Sequence, residues 1–188
     1  MHVESVTESE IRVTLEVTSS MVNDLLDGSL DARGALADAG FSRAEKASQA
    51  SVDRLAGRLR DLAPLLIALP DLDTDEAMSR INEQITELPI SPSVIDHGGV
   101  GPHIHWTPPT ARFDDQVISD IVMAIAQELC DNGTHRFGRC SASDCEDLFY
   151  DNTRNRSRRF CDDPRCASRT HTADHRARTA SKRIKDKS

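Results

Sequence analysis

A chain of 188 residues has room for one ordinary domain, or for a medium-sized domain with a small module, and is too short for two full-sized cores. With 38% hydrophobic and 29% charged residues, no apolar run near the roughly 18 residues of a membrane span, and an acidic opening (MHVESVTESE) in place of a basic-then-apolar leader, it reads as a soluble cytoplasmic protein with no membrane partner. The net charge of −8 conceals two unlike halves: residues 1–134 hold 9 Lys and Arg against 23 Asp and Glu, whereas residues 135–188 hold 14 against 8.

In chain order, Ile11, Val13, Leu15 and Val17 alternate with polar residues and predict an extended segment. Short helices are expected around Val22–Leu26 and over Ala32–Ala39, the second ended by Gly40. Ser42 and Glu45 have capping-box spacing, after which Leu55, Leu59, Leu62 and Leu66 predict an amphipathic helix running to about Leu62, beside Pro64. Asp73 with Glu76 repeats the start signal, and Ala77, Ile81, Ile85 and Leu88 keep helical spacing until Pro89. From Val94 to Trp106, β-formers flank Gly98, Gly99 and Gly101 and predict a hairpin. Between Phe113 and Cys130, the positions Val117, Ile118, Ile121, Val122, Ile125 and Leu129 predict a core helix.

The charge sign changes between Asp131 and Arg136, and four of the five cysteines lie beyond that point. Cys140-x4-Cys145, a gap of 15 residues and Cys161-x4-Cys166 form two thiolate pairs, the arrangement from which a short stretch of chain builds a tetrahedral zinc site. Disulfides are the competing reading, disfavoured in a chain without a secretion signal, and so polar a segment of about fifty residues has too little apolar surface to fold unaided. Four thiolates leave no open coordination position, so the metal would be structural. A treble-clef-like finger fits the intervening residues. Phe137–Cys145 would be the first knuckle, Leu148–Tyr150 a strand, Thr153–Ser157 a turn, Arg158–Cys161 a return strand, and Cys166 would open a helix.

The run Arg139-Cys140-x4-Cys145-x3-Phe149-x-Asp151-x-Thr153-Arg154-Asn155-Arg156-Ser157-Arg158-Arg159-Phe160-Cys161-x4-Cys166-x2-Arg169 resembles the CGNR zinc finger at the C-terminus of bacterial stress-induced transcriptional regulators. Cys166-Ala167-Ser168-Arg169 stands where that family has Cys-Gly-Asn-Arg, and Phe160 replaces the usual Trp. The resemblance implies zinc held by Cys140, Cys145, Cys161 and Cys166, and DNA as partner. Upstream, the helices from Leu25 to Cys130 resemble the ABATE domain of the same family in order and spacing, although the characteristic Asn-Thr motif is not recognisable between Leu15 and Val22. The expected organisation is α+β: a mostly helical, acidic ABATE-like domain with a small β-hairpin over residues 1–134, a small treble-clef-like zinc finger with a C-terminal helix over 135–180, and a frayed basic tail over 181–188.

Residues 154–188 carry twelve Lys and Arg against four acids. On a helix starting near Arg165, positions 165, 169, 176 and 183 form one stripe and 178, 182 and 185 its neighbour. One broad face would be cationic. Arg169, Arg176, Arg178, Lys182 and Arg183 on that helix, with Arg154, Arg156, Arg158 and Arg159 on the hairpin before it, are the candidate DNA contacts. The expected function is a zinc-dependent DNA-binding transcriptional regulator whose N-terminal domain serves as sensor or dimerisation unit; an effector ligand and a homodimer are compatible with it. The alternative is an adaptor whose finger binds protein or RNA, for which only Phe149, Tyr150 and Phe160 are at hand as stacking aromatics. A fold-back of the acidic domain onto the basic module would weaken DNA binding. Among other candidates, His171 and His175 have i, i+4 spacing beside an already saturated metal. His103 and His105 share a strand face with Asp96 and His97 across the turn, more simply a polar hairpin face than a second metal site. Cys130 is expected as a buried thiol. No phosphate loop, nucleophile elbow or paired catalytic carboxylates occur, so no enzyme is expected.

Overall fold

The computed structural model describes residues 6–41, 43–96 and 101–185, with side chains within 8–179. The first element is a long helix, α1 (Val6–Asp27), where an extended segment was predicted over Ile11–Val17 and a helix only from Val22. Its buried stripe is Thr14, Leu15, Thr18, Met21 and Val22, with Ile11 and Leu25 packed at its ends, so the period is helical once the two threonines are counted as inward-facing. The Thr18 hydroxyl donates to Thr14 O at 2.6 Å and that of Ser19 to Leu15 O at 3.0 Å, which makes burying them tolerable. Val13, by contrast, is 37% exposed. An alternation of β-branched residues therefore gave way to tertiary packing.

Helix α2 (Ala32–Asp38) is capped by Asp31 and ends as expected at Gly40. Phe41 N donates to Leu36 O at 2.9 Å and Gly40 N to Ala37 O at 3.0 Å, with Gly40 at φ +85° where a side chain would be strained. Ser42 lies outside the described residues, and the cap of the next helix, α3 (Gln49–Ala68), is Ser48 rather than a Ser42 capping box. That helix runs through Pro64, where a stop was expected. Pro64 is exposed, so the carbonyl it leaves unpaired faces water, while Leu62, Leu65 and Leu66 are buried around it and hold the turn. After a 3₁₀ turn (Leu69–Asp71), Asp73 accepts from Glu76 N at 2.8 Å and starts α4 (Thr74–Thr86), as predicted.

The predicted hairpin forms from β1 (Ser93–Asp96) and β2 (Pro102–His105), antiparallel, with Val94 opposite Ile104 and Ile95 opposite His103. His97, Gly98 and Gly99 lie outside the described residues. Helix α5 (Phe113–Asn132) is the central element and packs against α1, α3 and α4 through Val117, Ile118, Ile121, Val122, Ile125 and Leu129. Cys130, one residue or 100° beyond Leu129, is exposed, not buried. A second antiparallel hairpin, β3 (Phe137–Arg139) and β4 (Leu148–Tyr150), follows, and α6 (Pro164–Lys185) ends the described chain. Helix α6 runs on through Lys185, into the stretch expected as a basic tail. The architecture is α+β and mostly helical, with two two-stranded sheets among the described residues.

The hydrophobic core does not stop where the charge changes sign. Phe137, Leu148 and Tyr150 belong to the same buried cluster as Leu15, Val22 and Ile125. β4 lies along α1, and Asn23 completes it: the Asn23 amide donates to Leu148 O at 2.9 Å and its carbonyl accepts from Leu148 N at 2.8 Å. One helix side chain thus serves as the missing neighbouring strand. Replacing Asn23 with Ala leaves both Leu148 backbone groups unpaired, and we expect a loss of about 1–3 kcal/mol in urea unfolding. A second expectation concerns Asp120 on α5, whose carboxyl is pushed up to about 7 by burial and by the nearby Glu10 charge, against a hydrogen bond from Gln116. Folding favours its protonated form, so its contribution is present below about pH 4 and is lost as pH rises through about 7. The melting temperature should decline less over that window in Asp120→Asn than in the parent.

Candidate metal centre and cationic helix

Backbone pairing brings the cysteines together before any metal is considered. Cys140 follows β3 directly, and its N–H donates to Asp147 O at 2.8 Å, closing the first knuckle, within which Cys145 N donates to Ala142 O at 3.2 Å. Ser141 N donates to Arg159 O at 2.8 Å and ties this knuckle to the second, where Cys161 precedes α6 and Cys166 sits on its first turn. The predicted return strand over Arg158–Cys161 does not form, because the edge of β4 it would have taken faces α1 and Asn23. The strand paired with Leu148–Tyr150 is Phe137–Arg139.

All five cysteines are free, and the Sγ atoms of Cys140, Cys145, Cys161 and Cys166 lie within 4.8 Å of one another. Cys145 Sγ is 3.8 Å from Cys161 Sγ, which is 3.7 Å from Cys166 Sγ. Four sulfurs at the zinc–thiolate distance of about 2.3 Å from a tetrahedral centre stand about 3.8 Å apart, so the quartet fits zinc. Burial works against the Cys140 thiolate, but backbone hydrogen bonds from Cys161 and Ala142 prevail and hold its pKa below the usual thiol value. At Cys145 burial prevails and pushes the thiol up to about 12, and burial also raises Cys161. A bound cation favours the thiolate form of such ligands, so metal binding releases their protons. Arg169 reaches the cluster from α6, 3.3 Å from Cys166 Sγ and 3.0 Å from Asp144.

Around the centre, Gly138 and Arg158 enclose Phe149. A Cβ on Gly138 would come within 2.5 Å of the Phe149 ring, so only glycine allows this cross-strand pair to close. On the other face the Arg158 guanidinium lies 5.1 Å from the ring centroid and donates to Phe160 O at 2.8 Å and Asp162 at 2.7 Å. Asp151, buried, organises the loop that follows β4. Its carboxylate accepts from Thr153 N at 2.8 Å, Thr153 Oγ1 at 2.5 Å and Arg158 N at 2.8 Å. Burial opposes that charge, yet these bonds, with Arg136 nearby, hold its pKa below the ordinary aspartate value.

The predicted DNA-contact residues divide. Arg158 is committed within the finger, Arg169 to the cluster and Asp144, and Arg156, at φ 49°, to Asn132 at the end of α5. Arg154, Arg176 and Arg178 are exposed, and none of them makes an ion pair among the described residues. Arg159 is exposed beside the Phe160 ring, 5.6 Å from its centroid. Lys182 and Arg183 lie on the helical backbone of α6, outside the described side chains. His171 packs edge-on against Phe160 at 5.7 Å and His175 is exposed, so neither joins the sulfur cluster. Asp96 pairs with Pro102 and therefore lies on the opposite sheet face from His103 and His105. That face points inward: His103 is 6% exposed, whereas Val94 and Ile104 on the outer face are 72% and 47% exposed. Sequence reasoning missed Asn23, Glu128, Arg136 and Gly138, whose partners are distant in the chain or, for Gly138, visible only in the strand register.

Residues 136–179 match the CGNR zinc finger family. No curated protein matches the chain. With the sulfur geometry, the match assigns zinc to the four-cysteine centre. No described helix is long and apolar enough to cross a membrane. The purified chain should contain about one zinc per molecule by elemental analysis, and Cys161→Ser should lose it. Because Phe137, Leu148 and Tyr150 are shared with the helical core, chelation should lower the melting temperature of the whole chain rather than release a finger beside an unaffected domain.

Proposed function

We propose that the chain is a non-enzymatic, zinc-dependent DNA-binding transcriptional regulator in which α6 makes the principal DNA contact and the acidic, ABATE-like domain acts as sensor or dimerisation unit. The observation that carries this reading is α6 itself. It has 22 residues, about 33 Å at 1.5 Å per residue, and every residue from His171 to Arg178 is exposed. A helix polar all round has no face to bury within its own chain. Its Arg176, Arg178, Lys182, Arg183 and Lys185 suit a polyanion, and a single helix held by a rigid metal core fits the major groove of DNA.

The aromatics that RNA stacking would need are already employed, which disfavours the RNA reading: Phe149 and Tyr150 are buried and Phe160 packs on His171. The acidic domain also leaves His171–Arg178 of α6 uncovered. It meets the basic half through the hairpin, where Arg139 pairs with Asp71 at 2.7 Å and Arg136 with Glu128 at 3.6 Å. A fold-back that masks the helix is therefore absent among the described residues.

Neutralising about six phosphates would give a salt slope of roughly −5 in the logarithm of the association constant against log salt concentration, and removing Arg176 and Arg178 together should reduce its magnitude by about 2 while zinc content stays unchanged. Arg169 is unsuitable for this test because it touches Cys166 Sγ. Unchanged DNA affinity in the Arg176→Ala, Arg178→Ala double variant would overturn the helix-contact reading.

A further inference from the structure

A concavity of about 370 Å³ lies away from the cysteines, between α1, the turn after α2, β2 and α5, and falls within the size range of small-molecule sites. Its walls combine apolar surface from Phe41, Trp106 and Met123 with two carboxylates, Glu10 from α1 and Asp120 from α5. No lysine or arginine lines it among the described residues. Arg43 is occupied nearby, donating to Gln116 Oε1 at 2.8 Å and Ala111 O at 3.0 Å. Asp120 has no cationic partner among the described residues; its one hydrogen bond comes from Gln116.

The two histidines of β2 also face this space. His103 Nδ1 is 2.8 Å from Gly101 O, an acceptor only, so this nitrogen carries the proton. Its Nε2 is 3.1 Å from His105 Nε2, a contact that needs one unprotonated nitrogen. In this contact one ring donates and the other accepts. Glu10 and Asp120 are the acidic groups that line the cavity.

We propose that this cavity binds a small organic cation, an amine whose ammonium group meets Asp120 and Glu10 and whose apolar body lies against Trp106, Phe41 and Met123. An ammonium beside aromatic faces and a desolvated carboxylate gains from both. The high pKa of Asp120, about 7, accords with a carboxyl that surrenders its proton when a cation arrives. Glu10 of α1, His103 and His105 of β2 and Gln116 of α5 are the polar groups that share the space with it. The site supplies the sensor role proposed above, and rests on it, with a ligand class.

Trp106 is the single tryptophan of the chain, so its fluorescence reports occupancy directly. The full zinc-loaded chain is titrated, without DNA, with 2-phenylethylamine, and with 2-phenylethanol and phenylacetate as the neutral and anionic counterparts. A saturable change in Trp106 emission is expected for the amine, with affinity at least about tenfold weaker for the other two. Amine affinity should rise from about pH 6 to about pH 8 as Asp120 ionises. In Asp120→Asn, which is close to isosteric and removes only a charge that burial disfavours, the amine should bind about tenfold more weakly. Equal or tighter binding of the alcohol or the carboxylate, no saturable response to the amine, or unchanged amine affinity in Asp120→Asn would each overturn the site. Since no DNA is present, such a failure is distinct from failure of DNA recognition by α6.

Discussion

The strand Leu148–Tyr150 joins the two halves of the chain, and the rest of the structure depends on how it is held. One edge pairs with Phe137–Arg139 and the other is closed by the Asn23 amide. Tyr150, 2% exposed, donates its hydroxyl to Glu128 at 2.8 Å, and burial raises the pKa of both groups. Arg136, beside Glu128, donates to Asp151 O at 2.7 Å and Thr153 O at 3.0 Å, extending the network into the loop before the second cysteine pair. The zinc knuckles are thus fixed at both ends to a strand that is itself part of the helical core. A finger anchored in this way gives α6 a defined direction, whereas a finger on a flexible tether would not.

The basic half of the chain spends its arginines on two tasks. Arg136, Arg139, Arg156 and Arg158 work inward, on carbonyls, carboxylates or an aromatic ring of their own chain. Arg154, Arg176 and Arg178 face outward. Net charge alone cannot make this distinction: it treats the +6 of the C-terminal segment as one field, while the structure concentrates the outward charge on α6. The same division explains why the acidic domain and the basic module coexist without masking the helix. Their opposite charges meet at the hairpin, partly buried, where ion pairs position the two segments and add little to stability by themselves.

The metal centre was legible in the sequence because its ligands lie close together in the chain, and Cys-x4-Cys pairs have few other uses in a polar segment. Helices α4 and α5 were legible for a similar reason: Asp73 and the Val117–Leu129 stripe carry their signals locally. Helix α1 was not, since Thr14 and Thr18 are polar by type yet buried by position, and their inward period is hidden without the packing that buries them and the bond from the Thr18 hydroxyl to Thr14 O. The same limit applies to His103. A histidine strand face reads as solvent-facing until α1 and α5 are seen to cover it, leaving Val94 and Ile104 outside. Asn23 and Glu128 gave no signal because each acts on a residue placed beside it only by the fold, Leu148 and Tyr150 respectively.

Selection of duplexes from a randomised DNA pool by the zinc-loaded full chain, at near-physiological salt, tests most directly whether α6 reads DNA. Enrichment of one sequence motif, lost in the Arg176→Ala, Arg178→Ala variant that still holds zinc, is the predicted result. Retention of no duplex above background, or the same enriched motif in that variant, would contradict it.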